Sequence, residues 1–231
     1  MTTPPPLPPD GGPARTGTPW ERREQIGFFP ALVETTQQVL MGPEAFFRGM
    51  AVAGGITAPL LYGVIIGYVG IVASTLYSLV FNMAFGGFGA LARQGGAFER
   101  LAPFLEGGAN LFVNLIFGPV FIAVGLFIWS GIVHVVLMVL GGAQREFEAT
   151  FRVMSYSQAA SILQIVPICG SVAAVVYSII LEIIGLSHAH GISKGKAAAA
   201  VLLPILLVCC CCGLAFAILF GSLAGVISQM K

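Results

Sequence analysis

Charge is what this chain has least of: 11 Lys and Arg and 10 Asp and Glu make up 9% of 231 residues, against 57% hydrophobic residues. That scarcity excludes a water-soluble domain, whose surface needs far more ionisable side chains. A net charge of only +1, with no basic face or arm, excludes a nucleic-acid partner and leaves membrane and protein partners. Catalytic patterns are also missing. There is no H-E-x-x-H, no G-x-S-x-G, no phosphate-binding loop and no paired-aspartate motif. Glu182 is the single acid inside an apolar run, so two-aspartate proteolysis and metal-dependent lipid transfer lack their convergent carboxylates. We therefore expect no enzyme activity, no catalytic residues and no cofactor.

Cysteine offers no framework either. Four of the five are consecutive, Cys209 to Cys212, and successive helical positions point about 100° apart, so they cannot converge on one metal or bridge one another. His188 and His190 form an H-x-H pair without nearby cysteine or paired carboxylates, and read as a solvated basic turn rather than a metal site. The first thirty residues lack a basic start followed by an apolar core and a small-residue cleavage site, so no removable signal peptide is expected.

What the chain has is apolar length, with a mean hydropathy of +0.92. No charge falls between Arg48 and Arg93, Glu106 and Arg145, Arg152 and Glu182, or Lys196 and Lys231. Spans are expected near Thr57 to Phe85, Leu111 to Leu140 and Ala197 to Ile227. The third block, Val153 to Leu181, would run roughly 43 Å as one helix, too long for a hydrocarbon core of ~30 Å. Pro167 and Gly170 near its middle instead predict a hairpin with arms near Met154 to Val166 and Ser171 to Leu186. The fold expected is all-α and polytopic, with five transmembrane helices. Gly86 to Asn110 is expected to carry a short helix on the membrane surface.

Residues 1–19, rich in Pro, Thr and Gly, read as a disordered tail. Residues 20–50 read as an amphipathic cytoplasmic or interfacial segment. Leu32, Val33, Thr36 and Leu40 recur at helical spacing opposite Glu34, Gln37 and Gln38, and Gly42-Pro43 stops the helix. Phe46 and Phe47 beside Arg48 are candidate interfacial residues, seated either at the headgroups or on the protein's own cytoplasmic face. Residues 51–231 form the transmembrane domain. Lys and Arg gather before the first span and at both ends of the hairpin, which places the amino terminus in the cytoplasm and the carboxyl terminus outside. Small residues at Gly63, Gly67, Gly70 and Ser74, and at Gly213, Ala217, Gly221 and Gly225, let helices approach closely, within one subunit or between two.

Polar groups inside spans are costly, and here they are few. His134, Tyr156, Gln158 and Glu182 are a candidate cluster in one layer near the basic end of the bundle, with His134 and Glu182 expected to pair directly or through Tyr156, Gln158 or water.

The run HVVLMVLGG, then FEATFRVMSYSQAASILQIVPICG, then GLSHAHGISKGKA, resembles the Yip family, the Ypt-interacting membrane proteins, in its bacterial form. The resemblance implies five transmembrane helices and a cytoplasmic amino terminus. It also implies, from eukaryotic relatives, a place in vesicle traffic with prenylated small GTPases. The short Pro-rich tail departs from the longer cytoplasmic domains of those relatives, and bacterial relatives are mostly of undefined function. Two functions follow as expectations: a non-enzymatic organiser of lipid, protein partners or a homo-oligomer, or a small proton-linked transporter or channel using His134 and Glu182.

Overall fold

The computed structural model describes residues 17–81, 97–167 and 169–229, with side chains over 17–81, 111–167 and 169–211. Among these residues the chain is entirely helical. A 3-10 turn, Pro19–Arg22, leads into α1, Arg23–Ile26. Helices α2, Phe28–Met41, and α3, Pro43–Gly49, follow. The long elements are α4, Thr57–Phe81, and α5, Ala97–Val139. Then come α6, Phe147–Ser157, which runs into a 3-10 segment, Gln158–Ile165, and α7, Gly170–His190. Helix α8, Lys194–Gln229, closes the chain.

Four stretches are long and apolar enough to cross a membrane: Thr57–Phe81, Leu111–Val139, Gly170–His190 and Lys194–Cys211. The fifth expected helix, the first arm of the hairpin, has another construction. Its α-helical part ends at Ser157 and the chain tightens into 3-10 turns over Gln158–Ile165. At the greater rise of a 3-10 helix the two parts together reach roughly 32 Å, matching the ~31 Å of α7. The arm also sits at the centre. Every residue of α6 from Ala149 to Ser157 is buried, with α4, α5 and α7 packed around it.

Pro167 and Gly170 make the hairpin turn, as their residue types predict. A Cβ on Gly170 would lie 2.3 Å from the Leu163 carbonyl oxygen, so only glycine allows the arms to close. The stripe on α4 is likewise spent inside the chain. A Cβ on Gly63 would meet Leu126 and the Ser155 backbone at 3.0 Å, and one on Gly70 the Ser161 carbonyl oxygen at 2.8 Å. Of the stripe in α8, Gly213 has open space around it and the other side chains lie outside those described. The surface helix expected between Gly86 and Asn110 falls partly outside the described residues; from Ala97 the backbone is helical without a break into the second span.

Candidate functional site: the amino-terminal platform and the base of the hairpin

The residues ahead of the first span pack onto one end of the bundle as a platform, and one buried cation holds it there. Arg152, in the second turn of α6, is 0% exposed. Its Nε donates to the Ala51 carbonyl at 2.7 Å, its Nη1 to the Gly55 carbonyl at 2.9 Å, and its Nη2 to the Glu21 carboxylate. Glu148, one turn earlier, lies 3.8 Å away and accepts the Gly55 amide at 2.7 Å. A guanidinium fork suits this task, since it presents several donors at fixed angles. Trp20 locks the same segment: it is fully buried, its indole donates to the Ala58 carbonyl at 2.7 Å, and its amide donates to Thr35 at 2.9 Å. Thr18 caps the first turn and shares a 2.9 Å hydroxyl contact with Tyr156.

Phe46 and Phe47 pack on the protein itself. Both are buried against the protein, Phe46 edge-on to Tyr156 at 5.4 Å, while Arg48 is exposed. A Cβ on Gly185 of α7 would meet the Phe47 ring at 3.0 Å, which measures how closely α3 is seated.

The reading of Ser187 to Lys196 as a solvated turn is corrected. Helix α7 continues through both histidines and stops at Gly191, whose φ of 64° and ψ of 35° form a left-handed cap. His190 is 2% exposed, and His188 contacts Glu44 of α3, which also holds Lys194. These two hydrogen bonds, His188 first, pull the Glu44 carboxyl from its ordinary 4.5 down to about 2. A depressed carboxylate stabilises the fold above its unfolded value, and that contribution is lost as the pH falls from 4.5 through about 2. Accordingly, protease protection of α3 in the wild type is expected to decline over that acid window. Glu44→Gln should show weaker protection at neutral pH and no further decline there.

The four intramembrane polar candidates are not one hydrogen-bonded cluster. His134 Nδ1 pairs with the Thr150 hydroxyl at 2.8 Å, and Thr150 pairs with His190 Nε2 at 2.9 Å. His190 Nδ1 accepts the Arg145 amide at 3.2 Å. This last contact fixes the tautomer: His190 carries its proton on Nε2 and donates to Thr150, which leaves the threonine proton for His134. Glu182 is held elsewhere, accepting the Trp129 indole at 3.1 Å. The expected His134–Glu182 pairing is therefore replaced by two separate pairings. Trp129 and His134 share α5, and five residues turn a helix through roughly 140° beyond one full revolution, so one helix presents them in different directions. Gln158 accepts from Ser161 at 3.1 Å and lies against Gly67.

Two open cavities flank the platform. One, of about 380 Å³, lies among Thr18, Arg22, Gln38 and Phe46; the other, of about 580 Å³, lies among Val52, Gln144, Arg145 and Glu148. Neither is lined by His134 or Glu182. Among the described residues no group of three His, Cys, Asp or Glu is placed to hold a metal.

A multi-span helical bundle thus carries a central hairpin turning at Pro167 and Gly170 and an amino-terminal platform on its base. The family model described as the Yip1 domain matches residues 38–225. The chain belongs to the Yip1 family. Comparison with curated proteins and with solved structures finds no match. The Yip1 match begins at Gln38, within α2, so Arg152 lies inside the matched domain while Glu21 and Trp20 lie ahead of it. As a Yip1 protein with four membrane-length apolar helices, the chain is an integral, multi-pass membrane protein.

Sequence reasoning missed Arg152, Trp20, Thr150 and Trp129. Arg152 had a signal, an arginine one helical turn after Glu148 at the edge of an apolar run, but it served only to mark where that run begins. A threonine or tryptophan in an apolar helix carries no signal of its own.

Proposed function

We propose that this Yip1 protein is a non-enzymatic membrane organiser, which gathers lipid or protein partners on its platform. We place the amino terminus in the cytoplasm, as the excess of Lys and Arg at the platform end supports, and the chain in a bacterial inner membrane, as its resemblance to the bacterial form of the family suggests. The organisation we infer is a Pro-rich tail over residues 1–19, an interfacial segment over 20–50 and the membrane domain after it. The observation that carries the reading is how the costly polar groups are spent. His134, Tyr156 and Glu182 each have a partner within the chain, and the Arg152 guanidinium fixes the platform to the hairpin. A polar layer used for internal bonding suits a scaffold better than a path for ions.

The test uses purified full-length protein in liposomes, with an imposed pH gradient. No proton flux is expected. Glu182→Gln should keep the Trp129 bond through its amide oxygen and change stability little, whereas Glu182→Leu should lose about 1–3 kcal/mol by stranding the indole N–H. A wild-type flux that disappears in Glu182→Gln would establish transport and remove the organiser reading.

A further inference from the structure

Helix α2 has three faces. Ala31, Thr35 and Val39 recur every fourth residue and are buried on the protein. Glu34 and Gln38 form an exposed polar flank, with Gln38 facing the cavity beside Thr18 and Arg22. The third flank is open and largely apolar: Phe29 is 74% exposed and Val33 52%, with the half-buried Leu40 in line beyond them and Gln37 exposed at the edge toward the polar flank. On a soluble domain such a flank would face water. Its position on the bundle points elsewhere.

Two hydrogen bonds set that position. Thr36 meets the Tyr62 hydroxyl of α4 at 3.0 Å, and the Tyr177 hydroxyl of α7 donates to the Leu40 carbonyl. Tyr177 lies about 20 Å along α7 from its His190 end at 1.5 Å per residue, more than a tyrosine side chain can recover. The carboxyl end of α2 is therefore drawn below the His190 end of α7, to a level where α7 shows Val176 and Ile180 outward, while Thr36 lies level with the first turns of α4, where Leu61 is exposed. These are surfaces of membrane-length apolar helices. Thr36, whose side chain meets Tyr62, lies on the apolar side of α2, so that side is turned toward the spans and Glu34 and Gln38 are turned away.

We propose that α2 is an in-plane membrane helix. Phe29 and Val33 are seated among the acyl chains of one leaflet, continuous with the outward faces of α4 and α7, and Glu34 and Gln38 rest among the headgroups. The occupant of this flank is bilayer lipid. Phe46 and Phe47, buried on the protein, hold α3, while α2 makes the lipid contact. This rests on the organiser reading and names its lipid-contacting surface.

The experiment places a tryptophan on either flank, Val33→Trp or Glu34→Trp, in the full-length chain in nanodiscs of phosphatidylcholine with or without bromine on the acyl chains. Both positions are exposed, so folding should be retained, and unchanged thermal stability checks this. The signal from Trp20 and Trp129 is subtracted using the parent protein. The added fluorescence of Val33→Trp is expected to be quenched at least threefold more strongly by brominated lipid than that of Glu34→Trp. Equal quenching of both, or none at Val33→Trp in a stable protein, overturns the proposal. Absence of quenching together with a dimer mass would assign the flank to a second copy. Those outcomes leave the organising role standing on protein partners, whereas proton flux would remove that role and leave the quenching result intact.

Discussion

Arg152→Met is expected to release the platform from the bundle and to cost about 3–5 kcal/mol, the usual range for breaking a buried ion pair. The arginine is wholly buried and its fork reaches Glu21 and two backbone carbonyls, so methionine leaves a carboxylate and the Ala51 and Gly55 carbonyls without their donor. Arg152→Lys should recover only part of the loss, because an ammonium cannot meet those three acceptors from one point. Thermal unfolding in detergent gives the stability change, and limited proteolysis between residues 17 and 56 gives the release. A stable Arg152→Met protein with that segment still protected would show that Trp20 and the α3 contacts hold it alone.

Gly185→Leu should unseat α3 and loosen α7 from α6. A Cβ at that position would stand 2.5 Å from Val153 Cγ1, closer than real atoms approach, and 3.0 Å from the Phe47 ring, tighter than most real contacts. For Gly185→Ala the overpacking costs roughly 1–3 kcal/mol, against a gain of about 1 kcal/mol in helix propensity. Val153→Ala removes the tighter of the two contacts, so adding it to Gly185→Ala should restore most of the loss although it is destabilising alone. Additive losses in the double variant would mean that the glycine is needed for another reason. The same measurement separates the two anchors of the platform, since Arg152 holds residues 21–55 and Gly185 receives Phe47.

Much of the architecture was legible from residue order. Charge-free runs located the spans because a bilayer tolerates few ionised groups, and Pro167 with Gly170 located the hairpin turn because backbone geometry there depends on those two residue types. The glycine stripe on α4 announced close packing, though not whether its partner was the same chain. The candidate cluster was legible only as a set of costly residues. His134, Tyr156 and Glu182 do carry hydrogen bonds, but to Thr150, Thr18 and Trp129. Depth along a helix follows from counting residues. Direction around it, relative to neighbours, depends on how whole helices are rotated against each other.

By itself the sequence determined that this protein is a helical membrane bundle with a central hairpin and an amphipathic segment before its first span, because hydropathy, charge spacing, proline and glycine act locally along the chain. Tertiary structure alone decided which polar groups meet. Arg152 and Glu21 are 131 residues apart, and Tyr156 and Thr18 are 138 apart. It also decided that Phe46 and Phe47 turn inward while Phe29 and Val33 are left outward. Those choices are made when α2 and α3 dock against helices far away in the chain, where periodicity ranks the faces of a helix but cannot say what each one will touch.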